Sequence, residues 1–467
     1  MTRTIAIIGA GMGGLSAALR LAQQGFRVLV FEASAGPGGL ASSFEIDGLA
    51  FDAGPYILLD RAGLEWSFEQ LGLDLKSLIT LKHIEHVYQV EGEDGIRVRI
   101  FADLDQTAEG FESRWPGSGA RYRRFVHTTA RIHERLRSLL YVSLPAPTEL
   151  VRSGALLHFA FLLRSLESVL KRTRLPKPVV EALGIWTHVA GQTLDQAPSP
   201  LAFVPALIHT TGAYYPVEGI GAIPRALERK AVEAGVEFRY GVGVRAITCK
   251  DGRARGIETT QAEFVAADAV LSNYSGVGTY LELVEVRESV RDRLRKLPLQ
   301  SPGVCAYLAV RNKSEDLYLR FRLPGGGEMC RLLVTPSAIA PHLERDGWWP
   351  ARLIAPMPHS LAERGAEAQR EFLERALAED WWRDQIREHR VVGTRTPTEW
   401  SLRHNLYRES MNPVMTSSFM RAGRIAHRSP WVKGLYLAGS STHPGQWVSF
   451  CAISGILAAD KIREDLA

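Results

Sequence analysis

The stretch TIAIIGAGMGGLSAALRLAQQGFRVLVFE, residues 4–32, constrains this chain more than any other. Ile5, Ala6, Ile7 and Ile8 make an unbroken apolar run, the mark of a parallel strand covered on both faces, and the run stops at Gly9. Gly9, Gly11 and Gly14 have the G-x-G-x-x-G spacing. The first allows a tight turn, the second lets backbone approach a pyrophosphate, and the third lets helix and strand pack closely. A helix is expected over Leu15 to Gln24, its N-terminal amides and dipole favouring phosphate, with Gly25 as its stop. A second strand, Phe26 to Phe31, delivers Glu32 about 20 residues beyond the turn, where a carboxylate accepts hydrogen bonds from ribose hydroxyls and rejects a 2′-phosphate. A lone glycine motif is weak; strand, turn, helix, strand and acid in this order point to a dinucleotide.

With 467 residues, 46% hydrophobic and 23% charged, the chain can bury more than one core, and two lobes are expected. The formal charge of +5 is small for this length and the arginines are interspersed with acids, so no nucleic-acid role is expected. Cys249, Cys305, Cys330 and Cys451 form no C-x-x-C pair; neither a metal site nor a disulfide framework is expected, and a reducing cytoplasm fits. The apolar run after Arg3 reads as the first strand and not as a leader. No stretch reaches the roughly 18 apolar residues of a membrane-spanning helix.

Gly36, Pro37, Gly38 and Gly39 break regular structure after Glu32. A hairpin is expected next, Ala41 to Ile46 and Leu49 to Asp52, joined at Asp47-Gly48. A helix over Gly63 to Leu71, a strand over His86 to Phe101 and an arginine-rich amphipathic helix over Gly119 to Leu140 follow. ALLHFAFLL, Ala155 to Leu163, is apolar nearly all round and precedes Lys171, Arg172, Arg174 and Lys177. Two readings stay open for it: a buried helix, or one that dips into a membrane interface with the basic cluster as its anchor. Farther on, Ile223 to Ala234 reads as a helix, 236–240 and 242–247 as strands, and 300–425 as a second sheet containing Val304 to Val310 and Cys330 to Thr335. Leu435 to Ala438 reads as a buried strand, with a helix from Gly445 onward.

Three blocks spread over the whole chain carry a family resemblance. They are the N-terminal motif with Gly38-Gly39; Gly212, Tyr214, Tyr215, Pro216 and Gly219 with the strand holding Val244; and Gly439 followed by Thr442, His443, Pro444 and Gly445. Together they resemble the phytoene (carotenoid) desaturase-like members of the flavin-dependent amine oxidase superfamily. The resemblance implies an α/β fold with a discontinuous Rossmann-type FAD-binding domain, 1–104, 210–300 and 425–467, a mixed-sheet substrate domain, 301–424, and a helical cap, 105–209, which faces the membrane under the interfacial reading. It implies noncovalent FAD, contacted by Gly9, Gly11, Met12, Gly13, Gly14 and Glu32 in the first motif. Gly38 and Gly39 would run along the pyrophosphate and ribityl chain, and the backbone of Val244 would meet the adenine. Leu40, Gly54, Pro55, Gly439 and Val448 complete the implied cofactor set.

The implied reaction oxidises a carbon–carbon bond of a hydrophobic isoprenoid or polyene. A hydride passes to flavin N5, a proton leaves the neighbouring carbon, and oxygen or a quinone later takes the electrons. Tyr56 and Trp447 are the candidate substrate residues, and no metal is expected. His443 is the candidate ionisable group near the ring, weighed against a plain loop role. The chain departs from its relatives at Leu40, where many have Arg or Lys, and at Trp447, Val448, Ser449 and Phe450, where relatives have a glycine and small apolar residues. That bulkier wall leaves alternatives open: an FAD-dependent amine oxidase, a flavoenzyme that isomerises or cyclises a polyene or polyketide, or a non-enzymatic escort-like protein, against which Glu32 and the C-terminal unit argue. The expected location is cytoplasmic, with reversible association to the inner membrane face under the interfacial reading.

Overall fold

Five parallel strands in the order Leu435–Leu437, Ala269–Ser272, Thr4–Ile8, Arg27–Glu32 and Glu237–Tyr240 form the sheet that the N-terminal motif begins. The computed structural model describes residues 2–144, 147–311, 317–386, 388–422 and 424–467. Strands from three distant parts of the chain meet in this sheet, and both its faces are covered, which is why its strands read as continuous apolar runs. Ile5 and Ile7 face a core shared with the helices Met12–Gln23 and Val448–Leu466. Ala6 and Ile8 face the other way, against the antiparallel strands Val244–Lys250, Arg253–Thr259 and Phe264–Ala266.

The first helix starts at Met12, not at Leu15 as the helix penalty of glycine suggests. Gly13 and Gly14 lie inside it because the neighbouring backbone leaves no room for a side chain. A Cβ at Gly14 would stand 2.1 Å from the Gly9 carbonyl oxygen, and one at Gly13 would stand 2.8 Å from the Gly439 nitrogen. The C-terminal helix crosses the first equally closely: a Cβ at Gly455 would lie 2.1 Å from the Gly13 carbonyl oxygen.

The second sheet has seven strands in the order His389–Arg395, Val304–Val310, Trp349–Ala355, Arg331–Val334, Leu319–Arg322, His86–Glu91 and Arg97–Phe101. The run expected as one strand over His86 to Phe101 is two strands, because Asp94 and Gly95 (φ +76°) close a turn between them. His86–Glu91 pairs in parallel with Leu319–Arg322, so these residues lie in the seven-stranded sheet although the expected partition groups them with the dinucleotide lobe. Between the two sheets sits the hairpin Ser43–Ile46 and Leu49–Asp52, turned at Asp47 and Gly48, both with positive φ. The buried Asp52 ties it to the second motif block, accepting from the Tyr215 hydroxyl at 2.7 Å and the Ile220 amide at 2.8 Å.

Helices including Leu104–Arg114, Ser118–Leu136, Lys177–Val189 and Phe203–Thr210 build the cap. Within it, the apolar segment expected as one helix is a 3-10 turn, Ala155–His158, followed by a single α-turn, Phe159–Leu162. The buried-helix reading is overturned: Ala155 is buried, but Leu156, Leu157, Phe159 and Leu163 are exposed, Leu157 by 77%. Leu144 and Val151 are exposed as well. Among the described residues no helix is long and apolar enough to cross a membrane.

Candidate functional site

A cavity of about 420 Å³ runs from the carboxyl ends of the parallel strands, past the hairpin, to the cap and the seven-stranded sheet. At its first end the chain turns at Gly9 (φ +92°) into a helix whose start has no side-chain cap, leaving first-turn amides free to hold an anion. Glu32 is fixed beside this turn, one oxygen accepting from the Ala10 amide at 2.7 Å and the other from the Ser34 amide at 2.8 Å. The Gly38 amide donates to the Ala10 carbonyl at 2.8 Å, pinning the second glycine pair against the first. A side chain at Gly11 would enter this cradle 2.6 Å from Asn273 Nδ2. The cradle therefore fits a diphosphate with a ribose beside it.

The C-terminal helix presents a second uncapped N-terminus to the same cavity, at Trp447, Val448 and Ser449. Trp447 stacks on Phe450, ring centroids 4.9 Å apart. Leu58, Leu59, Trp186, Val189, Leu201 and Val204 give this part of the cavity an apolar wall. Tyr56 also lines it, and its buried hydroxyl has no partner among the described residues; burial holds that phenol protonated.

The structure brings Gly9, Gly11, Met12, Gly13, Glu32, Gly38, Gly39, Leu40, Gly54, Pro55, Tyr56, Val244, Gly439, Trp447 and Val448 to the one cavity. Gly14 lies beneath it, at the helix–strand contact. His443 is not among the lining residues. Its Nε2 lies 2.7 Å from the Leu139 carbonyl oxygen, to which it donates, and burial together with Arg424 pushes its pKa down to about 4. That geometry gives His443 a structural part, holding the C-terminal loop to the cap. Behind it, His427 Nε2 donates to the His443 carbonyl at 2.9 Å, its Nδ1 accepts from the Ser143 hydroxyl at 2.8 Å, and burial drives its pKa to about 3.

Asp60, Gln300, Asn412 and Gln446 are among the polar residues of the cavity that sequence reasoning missed. Asp60 is 7% exposed, accepts from the Gly63 amide at 3.1 Å and the Ser449 hydroxyl at 2.9 Å, and is held above the usual carboxylate range chiefly by burial. Its sequence signal, an acid at a helix start, announces only a cap. Gln300, Asn412 and Gln446 form an amide chain: Asn412 Nδ2 lies 3.2 Å from Gln300 Oε1 and 2.5 Å from Gln446 Oε1. Their distant positions in the chain left nothing local to read.

Parallel sheet, glycine cradle, the Glu32 carboxylate beside it and a second helix N-terminus over an apolar chamber define a flavin-dependent oxidoreductase. Residues 12–277 match the family of flavin containing amine oxidoreductases, and the chain belongs to that family. It is 28% identical to the zeta-carotene-forming phytoene desaturase of Myxococcus xanthus over 98% of this chain and 94% of the relative. It is 25% identical to the 4,4′-diapolycopene oxygenase of a Methylomonas species over 99% of this chain and 98% of the relative. An oxidoreductase structure from Methanosarcina mazei has the same fold, with a TM-score of 0.67 at 16% identity, covering 99% of this chain and all of that one.

Proposed function

We propose that the protein binds FAD noncovalently and converts carbon–carbon single bonds of a long apolar isoprenoid or polyene into double bonds. The observation that carries this reading is the two-ended cavity, a diphosphate cradle continuous with an apolar chamber. Its relatives from Myxococcus xanthus and a Methylomonas species, one named a phytoene desaturase and the other a diapolycopene oxygenase, support the substrate class. When bound, FAD supplies the hydride acceptor, reoxidised by oxygen or a quinone.

The chain's own residues do the rest. The glycine turn and the first-turn amides hold the diphosphate, Glu32 accepts from the ribose, and the backbone of Val244 borders the adenine. Amides at the start of the C-terminal helix favour negative charge on the reduced ring. The apolar wall excludes water and aligns the substrate, while Trp447 limits its shape. Asp60, whose raised proton affinity comes from burial, is the acid on the cap side and accepts the proton released from the substrate carbon. Cys451 lines the cavity, but burial pushes its thiol up to about 12, which keeps it protonated and supports noncovalent attachment.

The exposed Leu144, Leu156, Leu157 and Phe159 support reversible docking of the cap on the inner face of a membrane, where an apolar substrate is collected. Acid precipitation tests the cofactor part: FAD in the supernatant is expected, and a yellow pellet contradicts it. A second reading, amine oxidation, rests on the Trp447 ring that lines the chamber, backed by Phe450, and is tested by amine-dependent peroxide formation.

A further inference from the structure

We infer that Arg395 is the fixed positive charge that meets the diphosphate of the bound dinucleotide. This rests on the FAD reading above but concerns a residue that no motif marks. Arg395 ends the strand His389–Arg395 and is the one arginine or lysine among the residues lining the cavity, where Glu32 and Asp60 are the acids. It is only 6% exposed. A buried guanidinium ordinarily faces a carboxylate, because an unpaired charge out of water is costly. Among the described residues no acid forms an ion pair with Arg395. One Nη1 donates to the Pro302 and Gly303 carbonyls at 3.4 and 3.1 Å, and the guanidinium lies 4.5 Å from the Trp400 ring centroid. Its Nε is buried and has no acceptor.

Arg395 and the glycine cradle line the same cavity, and its surroundings tie this charge to the hairpin that follows Gly38-Gly39. Gly393, two residues back on the same face of the strand, abuts the hairpin, since a Cβ there would sit 3.0 Å from Ile46 Cδ1. Trp400, under the guanidinium, meets Phe44 with ring centroids 6.0 Å apart. The hairpin strand holding Phe44 runs back through Ala41 and Leu40 to Gly38, whose amide is bonded to Ala10 in the dinucleotide turn. A diphosphate brings two negative charges to this turn, and an uncapped helix end offers only about half a positive charge. His404, which also lines the cavity, does not supply the rest: burial, Arg403 and Arg395 hold its pKa down to about 4, so its ring is neutral. A charge-assisted bond from Nε to a phosphate oxygen satisfies the orphan donor and the ligand together.

The rival is a scaffold role, in which Arg395 serves only the two carbonyls, Trp400 and the neighbouring Tyr307, whose buried hydroxyl the guanidinium approaches closely enough to offset part of the upward push of burial on that phenol. The experiment uses purified holoenzyme, follows FAD release on dilution by flavin fluorescence, and then displaces bound FAD with ADP, which carries the diphosphate without the ring. In Arg395→Gln, affinities for FAD and for ADP are expected to fall together, roughly ten- to a hundredfold, and to lose part of their salt dependence. Adding Leu40→Arg, a new cation beside Gly39 in the same cavity, is expected to restore both in the Arg395→Gln background. Unchanged affinities overturn the inference. So does a loss for FAD that spares ADP, or a loss matched by a fall in thermal stability and not rescued by Leu40→Arg. A wild-type protein that binds neither ligand overturns the FAD reading itself.

Discussion

The Ser449 hydroxyl donates to the Asp60 carboxylate at 2.9 Å, joining the first turn of the C-terminal helix to the start of the helix Arg61–Gln70. Both partners are buried and both line the cavity, so one hydrogen bond fixes the spacing of two of its walls. Ser449→Ala is expected to cost about 1–3 kcal/mol, the range for leaving a buried acceptor without its donor, and to raise the Asp60 pKa further because that donor favours the carboxylate. Urea unfolding of the variant checks this. Wild-type stability with an unchanged pH–rate profile would show the contact to be idle.

Glu32 is held by two backbone amides yet keeps lone pairs for a ribose. Glu32→Ala is expected to weaken FAD binding by about 1.5–3 kcal/mol, as for a hydrogen bond to a charged group. Equilibrium dilution of the holoenzyme measures it, and unaltered affinity removes Glu32 from the ribose site.

The neutral histidines of the C-terminal loop make stability fall with acid. His427 and His443 have folded-state pKa values of about 3 and about 4, below an unfolded value near 6.5. On lowering the pH the unfolded chain therefore takes up protons that the folded chain refuses. Stability is full above about pH 6.5 and falls toward pH 4 by about 1.4 kcal/mol per pH unit for each histidine. His427→Gln, which keeps a donor for the His443 carbonyl, is expected to remove about half of that slope. A slope equal to wild type would mean that His427 titrates normally in the folded protein.

Trp447 stands at the N-cap of the C-terminal helix with its ring on Phe450. Glycine is tolerated at that position at a cost of a few tenths of a kcal/mol relative to good caps, so Trp447→Gly is expected to keep FAD while widening the chamber. Turnover of a linear carotenoid precursor relative to the native substrate is expected to rise. A constant ratio would make Trp447 scaffold.

Membrane docking is expected to depend on the broken apolar segment. Leu157→Glu with Phe159→Glu alters two exposed side chains, 77% and 56% accessible, so thermal stability should hold while flotation with acidic liposomes at low salt is lost. Retained flotation would assign membrane contact to another surface.

The glycine cradle and the carboxylate beside it were legible because they are local: Gly9, Gly11, Gly13, Gly38 and Glu32 come together through backbone spacing that short segments specify. Helix limits were less so. Gly13 and Gly14 disfavour a helix by propensity and are required in one by the Gly9 and Gly439 backbones, which only the folded chain brings near. His443 looked ionisable and close to the ring because of its motif, but its Nε2 turns away to Leu139. Asp60, Asn273, Arg395 and the amide chain of Gln300, Asn412 and Gln446 went unseen because each enters the cavity through tertiary packing, with no periodic or motif signal of its own. For the segment at 155–163 the sequence left burial and a membrane-interface helix both open, and the fold buries Ala155 while exposing Leu156, Leu157, Phe159 and Leu163.

The most direct test of the account is the product mass after the FAD-loaded protein is incubated with phytoene in acidic liposomes. Loss of two hydrogens for each new double bond, with bleaching of the flavin absorbance when air and quinone are withheld, is the predicted result. A product heavier by one oxygen, an isomer of unchanged mass, or no consumption of any linear polyene would contradict it.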